Sequence, residues 1–175
     1  MTPSETQPIS AAITADSLPD PRQELLLHAC LCPPERIAPY WREWRTSTDI
    51  DNLDDASNRL LPLLFRQAEA ARVQDPEMAR LRGIYRYHWC RNQLLLGELR
   101  SVLAALHAAS VEVLLLKGAA LIDRYYKDPG LRPMSDLDLM VRPEQIKTSC
   151  ATLERLGWTP KVPVDFEKVL AQRLI

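Results

Sequence analysis

The chain has 175 residues, 46% of them hydrophobic and 26% charged, with 22 basic against 23 acidic side chains and a formal net charge of −1. This mix excludes a wholly disordered or collagen-like chain. The near-zero balance excludes a broad basic field that gathers nucleic acid nonspecifically, while leaving room for a local basic pocket.

The length suits one ordinary domain, or a small domain with a helical extension. Met1 to Asp20 carries no Lys or Arg and no long apolar stretch, so no secretory signal is expected. Met1 to Pro21, rich in Pro, Ser and Thr, reads as a disordered leader. From Arg22 the pattern turns helical: Leu25, Leu26, Ala29 and Cys30 share one face, and Pro33-Pro34 ends that helix. A second piece over Pro34 to Arg45 carries Ile37, Tyr40, Trp41 and Trp44 at helical spacing. These aromatics fit a core or an interface better than a base-stacking platform. After the acidic connector Asp49 to Asp55, Ser57 is the expected cap of a third helix containing Leu60, Leu61, Leu64 and Ala68. Pro62 must sit in its first turn or kink it.

Asp75-Pro76 signals a break and a new start. Glu77 to about Ala109 is then the longest helical pattern, with Leu81, Ile84, Tyr85, His88, Leu95, Leu96, Leu99, Leu103 and Leu106 recurring at three- and four-residue steps. After Ser110 the texture changes. Val111 to Leu116 reads as a buried strand and Ala119 to Tyr126 as a short helix. Asp128-Pro129-Gly130 reads as a turn. Asp136 to Val141 alternates, which predicts a strand with Asp136, Asp138 and Met140 on one side. Pro143 begins a helix to about Leu156, closed by Gly157. Trp158 to Val162 is expected to be a strand and Asp165 to Leu174 a weak helix. The expected organisation is thus a leader (1–21), a helical region (22–110) and an α/β core (111–175).

Cys30, Cys32, Cys90 and Cys150 lack metal-site spacing, with only three His in the chain. They read as free cysteines of a reducing compartment, which points to the cytoplasm.

Two carboxylates at i and i+2, Asp136 and Asp138, would repel on one strand face unless a cation offsets them. Mg²⁺ takes oxygen ligands and keeps water and phosphate in its shell. That is the arrangement phosphoryl or nucleotidyl transfer needs, because charge develops on phosphate oxygens. Upstream, Lys117-Gly118 closes the first strand, where a glycine permits close backbone approach to a phosphate and Lys117 supplies charge. Between them, Arg132 is a further phosphate ligand candidate, with Lys127 as a helper. Each element alone is commonplace; their order is not.

The stretch LLLKGAALIDRYYKDPGLRPMSDLDLMV resembles the signature of the uncharacterised nucleotidyltransferase family of bacteria, within the polymerase-beta-like nucleotidyltransferase superfamily. The matching positions are Lys117, Gly118, Tyr126, Arg132, Pro133, Asp136, Asp138 and Leu139, and the likeness covers about Val111 to Thr159. The resemblance implies an α+β fold with a mixed sheet flanked by helices. It implies attack on the α-phosphate of a nucleoside triphosphate with two Mg²⁺ ions, which Asp136 and Asp138 would hold. Gly118 would line the triphosphate, with Lys117 and Arg132 as charge partners. The acceptor could be a small molecule, a protein or an RNA.

The chain departs from the pattern in two places. Ala119 follows Gly118, so a loop hydroxyl is missing. The third carboxylate of active members, on a later strand, has no counterpart, and Asp165 and Glu167 fall where a connector or helix is expected. The core is therefore expected to be truncated. A nucleotide-binding or antitoxin-like module without turnover, and a helical protein-interaction domain, are the alternatives.

Overall fold

The computed structural model describes residues 18–161. Asp20 caps helix α1 (Pro21–Leu31) by accepting from the amides of Arg22 and Gln23, and Gln23 returns a bond to the Asp20 amide. Pro21 occupies the first turn, where its missing N–H costs nothing. Helices α2 (Ile37–Ser47), α3 (Asp55–Asn58) and α4 (Leu61–Ala70) follow. The cap before α4 is not the expected one. Asp54 caps the separate turn α3, and the Ser57 hydroxyl lies inside it, donating to Asp54 Oδ2 at 2.6 Å. Asp54 is the better cap because its ionised side chain accepts two amides and a hydroxyl at once. Pro62 sits in the first turn of α4.

These helices close a first core around Leu26, Ile37, Trp44, Leu61, Leu64 and Leu81. Each such side chain stabilises by roughly 1.5–3 kcal/mol when fully buried. Trp41 and Trp44 are buried in it, with Trp41 Nε1 donating to Asp75 Oδ2 at 3.2 Å. Both lie in the core, one of the two places the sequence suggested for them.

Helix α5 (Glu77–Ala108) runs for 32 residues, about 48 Å at 1.5 Å per residue. Leu81 enters the first core. Leu99 packs with Ala119, Ile122 and Met134 in a second cluster, and Val102 and Leu106 with Val111 in a third. One helix is therefore the common wall for the described elements that follow it.

The chain reverses at Ser110, which has positive φ, and enters strand β1 (Val113–Leu115). Helix α6 (Lys117–Leu121) continues into a π-helical turn (Ile122–Tyr126). Strand β2 (Leu139–Val141) pairs antiparallel with β1: Val113 opposes Val141, Leu114 opposes Met140 and Leu115 opposes Leu139. Helix α7 (Ile146–Arg155) packs on α5, and Gly157, at φ 88°, closes it as expected. On β2 the alternation reads as predicted, with Leu139 and Val141 packed inward and Met140 exposed, whereas β1, expected to be a buried strand, leaves Leu114 exposed because no described element covers that face.

The α+β class expected from the sequence holds, with two antiparallel strands as the sheet of the described residues. Residues 158–161 form no strand, contrary to expectation. The expected helix over Asp165–Leu174 and most of the expected leader lie outside the described residues. Among the described residues no helix is long and apolar enough to cross a membrane. All four cysteines are unpaired. Burial pushes the Cys30 thiol up to about 12, which keeps it protonated at neutral pH.

Candidate functional site

The end of β1 places the first site residue. Lys117 has φ 46°, in the left-handed region that disfavours a side chain. From this turn its ammonium reaches across the ladder to Asp138 Oδ1 at 2.9 Å. The left-handed conformation costs roughly 1–2 kcal/mol. An exposed ion pair returns only about 0.2–1 kcal/mol, and Lys117 is 70% exposed. The contact does not by itself offset that cost; Arg72, Ser110 and Lys127 adopt the same left-handed φ, and what sets Lys117 apart is its ion pair with Asp138. Strain of this kind concentrates where function requires a set conformation.

The second strand supplies the carboxylates. Pairing starts at Leu139, later than the expected Asp136, so both acids lie on the approach to β2 and not within it. The carbonyl of Asp138 still accepts from the Leu116 amide at 3.0 Å, which fixes its backbone against the end of β1. Leu137 and Leu139 pack into the second cluster, leaving Asp136 exposed on the opposite side. The Lys117 ammonium is held above its ordinary value, first by its hydrogen bond to Asp138, then by the charge of Asp138 and, more weakly, of Asp136. Lys117, Asp136 and Asp138 thus form one electrostatic unit.

Gly118 has a packing role. A Cβ there would stand 2.7 Å from both Cγ and Sδ of Met134, which is 6% exposed. The segment carrying Arg132 and Pro133 lies so close to α6 at position 118 that any side chain there would require Met134 to shift.

That segment is held from below. Asn92 on α5, fully buried, donates from Nδ2 to the carbonyls of Pro129 at 2.5 Å and Arg132 at 2.8 Å. Asp128 accepts from the Tyr85 hydroxyl at 3.0 Å, from Arg66 Nη1 at 2.9 Å and from the Gly130 amide at 2.9 Å. Gly130 lies so close to the Tyr85 ring that a Cβ would meet Cε2 at 2.3 Å. The Arg132 guanidinium donates to the Pro133 carbonyl at 3.0 Å and forms no ion pair among the described residues. Lys127 is turned away onto the Asp123 carbonyl. The structure therefore brings Lys117, Asp136 and Asp138 together, with Gly118 packed against Met134 beside Lys117 and Arg132 on the adjoining clamped loop.

A family model described as "Uncharacterised nucleotidyltransferase" matches residues 46–171, most of the chain's length. The chain belongs to this family. Searches of curated proteins and of solved structures gave no match. The nucleotidyltransferase match reaches well upstream of the 111–159 stretch that carries the resemblance, taking in α4 and α5. That range includes Arg66, Tyr85 and Asn92, the clamp that sequence reasoning missed. A signal for Asn92 was present: it stands four residues after His88 and three before Leu95, a polar residue on the apolar stripe of α5.

The donor set of this nucleotidyltransferase suits a hard cation. Asp136 and Asp138 offer only carboxylate oxygens, and the Asp136 side chain makes no hydrogen bond among the described residues, so its oxygens are open to a ligand. Among the described residues no group of three or more His, Cys, Asp or Glu is gathered in metal-binding range. Water and phosphate oxygens would have to complete any shell.

Proposed function

We propose that this nucleotidyltransferase transfers a nucleoside monophosphate from a nucleoside triphosphate to a hydroxyl acceptor, in the cytoplasm and with Mg²⁺. In this reaction the acceptor oxygen bonds to the α-phosphorus as the bond to the β-phosphate oxygen breaks. Pyrophosphate leaves, and the hydroxyl proton passes to water. The observation that carries the reading is the strained Lys117, whose ammonium is held beside Asp136 and Asp138.

Asp136 and Asp138 would hold two Mg²⁺ ions, which when bound neutralise charge developing on the phosphate oxygens. Lys117 balances the two carboxylates when no metal is near, and can swing onto a phosphate oxygen because its side chain is mostly solvent-facing. Arg132 offers a second phosphate contact from a loop fixed by α5. Gly118 keeps α6 and that loop in register, and its backbone would line the triphosphate. The helical region 22–110 would then act as the scaffold of a core in 111–175.

The test is transfer itself. Wild type incubated with α-labelled ATP, Mg²⁺ and a small-molecule extract should yield labelled product and pyrophosphate, and Asp136→Asn should yield neither. Equal product from both would refute the site. A second reading, nucleotide binding without turnover, draws on the absence of a third grouped carboxylate among the described residues. It expects Mg²⁺-dependent nucleotide binding with no pyrophosphate release.

A further inference from the structure

An open groove of about 810 Å³ lies between α3, the middle of α5 and the clamped loop. Its walls are Arg59 after α3, Tyr87, His88 and Arg91 on α5, and the stretch from Arg132 to Ser135. Ser135, at one end of the wall, directly precedes Asp136, so the groove ends one residue along the chain from the first carboxylate. None of Arg59, Arg91 and Arg132 forms an ion pair among the described residues. Arg66, on the neighbouring helix α4, is by contrast paired with Asp128. Asp55 is the one acid on the groove wall, so the lining carries two positive charges in excess.

The arginine on α5 is oriented: Arg91 Nη1 donates to the Tyr87 hydroxyl one turn earlier, at 3.2 Å. Burial, and then the charge of Arg91, hold the His88 imidazole below its ordinary value, so it is neutral at pH 7. Its Nδ1 is shielded from solvent and lacks a hydrogen-bond partner among the described residues. Guanidinium forks with no carboxylate partner recognise phosphate in preference to a neutral ligand. The groove volume falls within the range of small-molecule sites, roughly 300–1,000 Å³. A net charge of −1 gives the whole chain no field for a long polyanion.

We propose that this groove is the acceptor site, and that the acceptor is a small phosphate monoester with a free hydroxyl, its phosphate bound by Arg59 and Arg91. The inference rests on the nucleotidyl-transfer reading for the identity of the second substrate. Arg59 and Arg91 lie outside the Lys-Gly and Asp-x-Asp signature. Their task is to hold the acceptor phosphate so that its hydroxyl end faces Asp136, with the exposed Tyr87 ring covering the apolar part of the ligand.

The full chain would be titrated by calorimetry with glycerol 3-phosphate, with glycerol as the phosphate-free control, and separately with ATP and Mg²⁺. The proteins are wild type, Arg59→Gln/Arg91→Gln and Asp136→Asn/Asp138→Asn. Arg59 and Arg91 are exposed, so the first variant should keep the wild-type melting temperature, measured alongside. Glycerol 3-phosphate should bind wild type, weaken at least tenfold in the arginine variant and change less than twofold in the aspartate variant. Glycerol should not bind. ATP with Mg²⁺ should show the reverse pattern. No binding of glycerol 3-phosphate, or equal binding to the arginine variant, would overturn the acceptor site while leaving the nucleotide site standing. Loss of ATP binding in the arginine variant would reassign the groove to the triphosphate. Binding of a short RNA through Arg59 and Arg91, with none of glycerol 3-phosphate, would overturn the small-molecule assignment. Glycerol 3-phosphate binding without any ATP binding would instead sink the nucleotidyl-transfer reading.

Discussion

Replacing Asn92 by alanine tests whether α5 holds the loop between the two signature motifs. The side chain is fully buried and donates to two carbonyls, those of Pro129 and Arg132. Its own Oδ1 is buried without a partner. Alanine removes both donated bonds but also removes that unpaired oxygen. A buried polar group left unsatisfied costs about 1–3 kcal/mol. Two such losses less one relief leave roughly 1–3 kcal/mol, to which the cavity adds about 1 kcal/mol. The net destabilisation is therefore about 2–4 kcal/mol, or roughly 5–15 °C in melting temperature for a chain of this size. Urea unfolding at pH 7, followed by both circular dichroism and tryptophan fluorescence, would measure it. Asn92→Asp should be worse still, because a buried carboxylate would face two carbonyl oxygens. A loss below about 0.5 kcal/mol for Asn92→Ala, the range of ordinary surface changes, would refute the clamp.

Lys117→Gly should raise stability by about 1 kcal/mol, because it relieves the left-handed strain, while weakening ATP binding. A variant that is destabilised would show that the ion pair with Asp138 outweighs the strain. Gly118→Ala should cost about 1–3 kcal/mol through the 2.7 Å encounter with Met134, and Met134→Ala in the same chain should recover part of the loss. A neutral Gly118→Ala would mean that Met134 moves aside freely. Hydrogen bonds from the Ser57 hydroxyl and amide hold the Asp54 carboxyl at about 2. Because its folded value lies below the ordinary carboxylate value near 4, its contribution is complete above about pH 4 and is lost as pH falls through about 2. The stability gap between wild type and Asp54→Ala should accordingly be flat from pH 7 to about 4.5 and close below that. A gap unchanged down to pH 2 would contradict the capping role.

The helices were legible because their information is local. The apolar stripe of α5, the Asp75-Pro76 start and the Gly157 stop lie within a few residues of what they control. The order of Lys117-Gly118, Arg132, Asp136 and Asp138 was legible for the same reason. The clamp was not, because it joins residues 37 to 62 positions apart, such as Asn92 with Pro129 and Arg66 with Asp128. Nor was the strain at Lys117, since nothing in the residue type demands a left-handed backbone. Ser57 did not cap the helix carrying Leu61 and Leu64 because the chain first forms the short turn α3, capped by Asp54 three residues earlier, and Ser57 lies inside it. The late start of β2 has a comparable cause: alternation continues through Asp136, but β1 ends at Leu115 and leaves only the Leu116 amide to extend the ladder.

Asp136 and Asp138 are proposed above to form a metal-dependent nucleotide site. Its most direct test is calorimetric titration of the full chain with ATP and with GTP, with and without Mg²⁺, beside Asp136→Asn/Asp138→Asn. Binding should need Mg²⁺ and disappear in the double variant. Binding that ignores Mg²⁺, or that survives loss of both carboxylates, would contradict it.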